Sequence, residues 1–324
     1  MAKIKDKVQN ALDETRILIL GSQVLLGFQF RSIFEKGFET LPEHAQYLKL
    51  TALGLMTLAV GLLMAPGAYH QIVEDGEDSQ RVHRFTTGIA EMALLPFALG
   101  FGIDMFVAAE KLMNQTLAVV AGLMMMLTAL FFWYGLEAMH KAKYEPEITE
   151  KREMEKQQAK KEEGGTKIKD KIKHVLTEAR VVLPGAQTML GFQFITFLME
   201  SFDKLPDSSR YIHFASLAMV ALSIVLLMTP AAYHRIVERG EETSHFHRFA
   251  SRVLLAAMVP LALGLSGDFF IVTRKVTEST ALAAGLALAL LALFYGLWFG
   301  VTAYRRGQRQ TEVEWRIDRR EAAD

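Results

Sequence analysis

KIKDKVQNALDETRILILGSQVLLGFQF, at residues 3–30, returns as KIKDKIKHVLTEARVVLPGAQTMLGFQF at residues 167–194. The offset is 164 residues, 167 against 3, and it holds well beyond this stretch. It sets Pro66, Tyr69 and His70 on Pro230, Tyr233 and His234. It also sets His83, Arg84 and Phe85 on His247, Arg248 and Phe249, and Pro96 and Asp104 on Pro260 and Asp268. Towards the end the offset becomes 165, pairing Trp133 and Gly135 with Trp298 and Gly300, which one inserted residue explains. Self-similarity at a fixed period marks a repeated structural unit, so each copy is read by itself.

A helix needs about 20 mostly apolar residues to cross the hydrocarbon core of a bilayer. The first copy offers four such runs, at 17–34, 48–68, 85–108 and 117–139, and the second four more, at 181–199, 212–232, 249–272 and 281–303. The first run of each copy is the weakest, since it carries two glutamines and, in the first copy, Arg31. A buried or half-inserted segment is its rival reading. The sequence thus predicts an all-α polytopic membrane protein with eight transmembrane helices. They form two four-helix repeats, 1–140 and 167–304, joined by a charged linker at 141–166 and followed by a charged tail at 305–324. An even number of spans returns the chain to the face it left, so the two repeats are expected to lie parallel, related by an axis along the membrane normal.

Charge supports this arrangement. Apolar residues make up 51% of the chain and formal charge balances at zero, yet the charges gather near residues 1–16, 141–180 and 304–324. Lysine and arginine mark the cytoplasmic side, which puts both termini and the linker in the cytoplasm of a prokaryotic inner (cytoplasmic) membrane. The mixed charge of the opening segment from Met1 to Arg16, with no small-residue cleavage site after the apolar run, reads as a retained terminus. In the repeated lysine-rich segments Ile4, Val8 and Leu12, and again Ile168, Ile172 and Leu176, recur every four residues. That spacing predicts amphipathic helices lying on anionic inner-leaflet lipids. No nucleic-acid partner is expected, and a homo-oligomer stays open.

The chain has no cysteine, which excludes disulfides, thiolate metal sites and cysteine nucleophiles, so a metal would need His, Asp or Glu. His70 and Glu74 are four apart, as are His234 and Glu238, and so share a helical face. With His83 or His247 added across the short acidic loop, each set could hold a divalent metal; its alternative is a ring of interfacial anchors. Glu14, Arg16 and their twins Glu178 and Arg180 fall at the same cytoplasmic boundary and are candidates for gating. Gln23, Gln29, Gln187 and Gln193 are polar groups within apolar runs, expected to bond other helices or to line a polar path. Asp104 and Asp268 lie about 30 Å along the third helix, at the outer boundary. Glu91 is deeper and unmatched, since its counterpart is Leu255, which makes it a candidate proton site. No nucleotide-binding, serine-hydrolase or metalloprotease motif is present.

The blocks ETRILILGSQVLLGFQF and APGAYHQIV, with EARVVLPGAQTMLGFQF and TPAAYHRIV in the second copy, resemble an uncharacterised family of small prokaryotic four-helix membrane proteins. Some of its members carry the label sodium:proton antiporter. The matching positions are Glu14, Arg16, Gln23, Tyr69 and His70, with Glu178, Arg180, Gln187, Tyr233 and His234. The resemblance implies a fused pair of what is commonly a single unit. The sequence departs from an antiporter pattern in having no matched midplane carboxylate. Three function classes follow. The first is small-ion transport coupled to protons; the second is a metal- or haem-binding membrane protein using His70, His83, His234 and His247; the third is a structural or membrane-organising protein.

Overall fold

The computed structural model describes residues 4–135, 167–236, 238 and 243–321, and these are almost entirely helical. The expected linker at 141–166 lies outside the described residues. The first copy forms α1 (Ile4–Ser32), the single turn α2 (Lys36–Glu39), α3 (Glu43–Val73), α4 (Gln80–Glu110) and α5 (Gln115–Leu130). The second forms α6 (Ile168–Thr196), α7 (Glu200–Asp203), α8 (Asp207–Ile236), α9 (Ser244–Thr277) and α10 (Thr280–Tyr295). Both last helices run into a π turn, Phe131–Gly135 and Gly296–Gly300, and in the second copy helix α11 (Val301–Glu321) follows. The inserted residue is absorbed at the turn before the last apolar helix, because α5 and α10, both 16 residues long, align at the 165 offset.

Helix starts follow from capping chemistry. Ser79, Asn114, Thr243 and Ser279 each accept a hydrogen bond from the backbone N–H three residues on, satisfying a donor that has no partner inside the helix. Pro66, Pro96, Pro230 and Pro260 all lie inside helices that continue through them.

Among the described residues six helices are long and apolar enough to cross a membrane: Glu43–Val73, Gln80–Glu110, Gln115–Gly135, Asp207–His234, Ser244–Thr277 and Thr280–Thr311. These account for six of the eight expected spans. The missing two are α1 and α6, in which the charged segment and the weak apolar run join as one unbroken 29-residue helix. They pack against each other, and each also packs on the next two long helices of its own copy. Glutamines can sit in these runs because protein, not lipid, covers that side: Gln23 and Gln29 of α1 and Gln193 of α6 are buried.

The lysine-rich segments also behave differently from expectation. Val8 and Leu12 are buried against Tyr69, Val73 and Val82, and Ile172 and Val175 join the main core. Val8, Leu12 and Ile172 of the expected stripe are thus covered by protein. That core is continuous across the two copies, with α3 packing on α6, α9 and α11.

Candidate functional site

Near the end of α3, His70 and Gln71 reach across to α6. His70 Nδ1 lies 2.6 Å from Glu178 Oε1, and Gln71 Nε2 donates to Glu178 Oε2 at 2.5 Å. A carboxylate only accepts, so His70 Nδ1 is a protonated nitrogen. Ser251 of α9 donates to Gln71 Oε1 at 2.7 Å, which fixes the amide and through it the carboxylate. His70, Gln71 and Glu178 are all buried.

The acidic loop 74–78 folds back over this pair. Asp75 and Gly76 are left-handed, at φ 52° and 72°. A Cβ at Gly76 would also sit 2.8 Å from His247 Nε2, so glycine is required there twice over. Two cations from the second copy hold the loop. Arg309 pairs with Glu74 at 3.1 Å and donates to Val73 O at 2.6 Å. Lys171 pairs with Glu77 at 2.7 Å and donates to Asp75 O at 3.1 Å. Asp78 is thereby brought 3.3 Å from His174, whose side chain is fully buried. The ligand atoms of His70, Asp78 and His174 lie within 4.8 Å of one another. Beside them a small, partly open apolar pocket is walled by α1, α3, α6 and α9, and Glu178 is its only charged lining residue.

A second buried polar group lies towards the other end of the helices. Gln193 donates to Asp268 at 2.7 Å, His213 Nδ1 lies 3.6 Å from Asp268, and His213 Nε2 donates to Gln193 O at 3.1 Å. In the first copy Gln29 donates to Asp104, and Lys49 takes the place of His213, 2.6 Å from Asp104. Of the four glutamines expected to seek partners on other helices, Gln29 and Gln193 find them in these aspartates.

Residues 2–137 and 161–302 each match the profile of a Family of unknown function (DUF6328). The chain belongs to that family, in tandem duplication. No curated protein and no solved structure matches it. The two DUF6328 regions correspond to the two helix sets described above, and the site at 70–78 is assembled from both of them.

Only some of the residues singled out in sequence meet there. Of the expected His70, Glu74 and His83 set, Glu74 turns to Arg309, and His83 is half-buried outside the three-residue group. In the second DUF6328 region His234 packs on the Phe246 ring at 4.6 Å, while Glu238 meets Thr243 at 3.2 Å and His245 at 3.4 Å. His247 is buried beside Gly76. Glu14, Arg16, Arg180 and Gln187 are exposed, and Gln23 is buried at the α1 and α6 contact. Glu91 is exposed too, and its backbone oxygen accepts from Tyr134. Asp78, His174, Gln71 and Ser251 were not anticipated. His174 stands where the first region has Asn10, so a search for residues retained in both copies passes over it.

Proposed function

We propose that this is an integral protein of a prokaryotic cytoplasmic membrane that takes a small cation into the seam between its two repeats, the binding step of small-ion transport. In this reading α1 and α6 cross alongside the six apolar helices, giving eight spans in two parallel four-helix units. Each of the two is 29 residues long. At about 1.5 Å per residue that length extends about 43 Å, enough for a hydrocarbon core of about 30 Å. The lysine-rich start of α6 lies close to the His70 cluster, which by the positive-inside rule supports a cytoplasmic position for the cluster.

One observation carries the reading: the carboxylate of Glu178 is buried in the seam, with both oxygens taken by His70 and Gln71, neither of which bears a fixed positive charge. Burying a carboxylate without a compensating charge is costly, so a cation is the favoured occupant. The pocket beside Glu178 provides interior space, and the Gln193, Asp268 and His213 group offers a second polar station. From Glu178 to Gln193 the rise along α6 is about 22 Å at about 1.5 Å per residue.

The test is flux in reconstituted vesicles, with an entrapped pH dye in one set and a divalent-metal dye, challenged with Mn²⁺ or Zn²⁺, in another. Uptake above empty vesicles that Glu178→Gln abolishes supports transport. Uptake of neither cation above the empty control removes it.

A further inference from the structure

The cation that fits this seam is more specific than charge alone requires. We infer that His70, Asp78 and His174 bind one divalent first-row transition-metal ion, with Glu178 orienting His70 from behind. The inference deepens the cation-binding reading above but rests on its own geometry.

The donor set comes first. The ligand atoms of His70, Asp78 and His174 lie within 4.8 Å of one another, drawn from α3, the loop after it and α6. An ion about 2.1 Å from each donor in tetrahedral geometry holds the donors about 3.4 Å apart. The edge between Asp78 Oδ1 and His174 Nδ1 is already 3.3 Å. The 4.8 Å limit on the whole group exceeds the tetrahedral edge by about 1.4 Å, a difference that side-chain torsions can supply.

His70 itself supplies the second observation. Its ring is fully buried, Nδ1 is engaged by Glu178, and Nε2 has no hydrogen-bond partner. The Glu77 carbonyl lies near the ring but makes no hydrogen bond to Nε2. An unpaired ring nitrogen in a buried site loses its water without return. A metal ion resolves this, since it takes the lone pair of Nε2 while Glu178 holds the opposite N–H. That carboxylate, histidine and metal sequence is the arrangement that fixes the tautomer and raises the basicity of a ligating imidazole. Here it continues outward through Gln71 to Ser251.

The chemistry of the donors limits the ion. Two imidazoles and one carboxylate suit Zn²⁺, Fe²⁺, Mn²⁺ or Co²⁺, whereas Ca²⁺ and Mg²⁺ prefer all-oxygen shells. A chain without cysteine offers no thiolate to favour Cu⁺. Three protein ligands leave a tetrahedral ion one position for water or for an incoming group.

The experiment uses the full chain in detergent, stripped with chelator and titrated with Co²⁺ and then Zn²⁺. Saturation at one ion per chain, with ligand-field bands of a low-coordinate Co²⁺ site that Zn²⁺ abolishes, is the expected result. His174→Ala and Asp78→Asn should each weaken binding by about a hundredfold or more, and Glu178→Gln by about 10- to 100-fold. His234→Ala, at the equivalent place in the other repeat, should leave binding unchanged. Size-exclusion profiles and metal-free melting temperatures identify any variant that has simply misfolded, and Asp78→Asn, the mildest change, keeps the test open if His174→Ala does. Absence of stoichiometric binding, or full affinity in a folded Asp78→Asn, overturns the inference. Stoichiometric metal without vesicle flux would refute transport while leaving the metal site standing, and flux of protons without bound metal would do the reverse.

Discussion

His70 and Glu178 meet in the seam, whereas their repeat equivalents, His234 and Glu14, do not. Glu14 is exposed and His234 packs on Phe246. The same inequality recurs along the whole contact between copies. Gln23 sits against Gly185, where a Cβ would overlap its amide oxygen, but the mirrored Gly21 has open space around it. A Cβ at Gly27 would run into the Phe192 ring, while Gly191 likewise faces nothing. Gly61 receives Phe294 and accepts a hydrogen bond from Trp298 Nε1 at 2.8 Å, and its equivalent Val225 is 62% exposed. Of the apolar window of α3, 61% is buried, against 39% for α8. The inequality runs both ways, since the window of α9 is 67% buried against 39% for α4, so α3 and α9 are the inner struts and α4 and α8 the outer ones.

Substitutions made in pairs at equivalent positions test this most directly. The largest difference is expected at the carboxylate and histidine pair. Glu178→Ala leaves the buried His70 and Gln71 without their acceptor and should lower unfolding free energy in detergent by about 3 kcal/mol or more, while Glu14→Ala on the exposed face should stay within about 0.5 kcal/mol. Equal losses would show that the copies contribute alike. Next comes Gly61→Val, which gives the first copy the residue that the second has at Val225. Overpacking against Phe294 should cost about 1–3 kcal/mol and shift the emission of Trp298 as its bond to Gly61 O breaks. A Gly61→Val protein with unchanged stability and emission would mean that α3 is not tightly seated.

Gly185→Ala and Gly21→Ala should differ in sign. The first pushes the Gln23 amide out of its place and should destabilise by about 1 kcal/mol or more, while the second should gain about 0.5–1 kcal/mol from helix propensity. The smallest effect is expected at the opposite end of the seam. There Glu39 meets Lys275 at 3.2 Å and Lys204 at 3.4 Å, Lys36 meets Glu200 at 2.5 Å, and Ser201 bonds the Phe34 carbonyl. The hydrogen bond from Lys275 holds the Glu39 carboxyl below the usual carboxylate range, with Lys204 adding to it. Its contribution is therefore complete above that range and is lost as pH falls through the lowered value. Glu39 is 42% exposed, so Glu39→Gln should cost less than about 1 kcal/mol at neutral pH. It should also flatten the acid limb of the melting-temperature profile, and an unchanged limb would assign that limb to other carboxyls.

The repeat, the helical class and the apolar middles of the helices could be read from self-similarity and hydropathy alone. The status of α1 and α6 could not, because a run that carries glutamines and an arginine reads as a weak span whether lipid or protein covers it. His70 and Glu178 were both noticed, but 108 residues apart and on different copies, so nothing in the spacing joined them. Asp78 and His174 were hidden for a different reason. Residues kept in both copies draw attention, whereas a site formed between unequal halves can be made of residues that only one half has. The Gln29 and Asp104 pairing was more accessible, since both members recur at the same offset, as Gln193 and Asp268.

The π turn at Gly296–Gly300 has a mechanical side. A π turn takes up an extra residue within a helix, and one residue corresponds to about 100° of rotation at about 3.6 residues per turn. Everything downstream is phased by it, including Arg309, nine residues beyond its end. The turn therefore works as a cam: deleting one residue there would swing the guanidinium about a quarter-turn away from Glu74, removing one of the loop's two cationic holds without touching any residue in it.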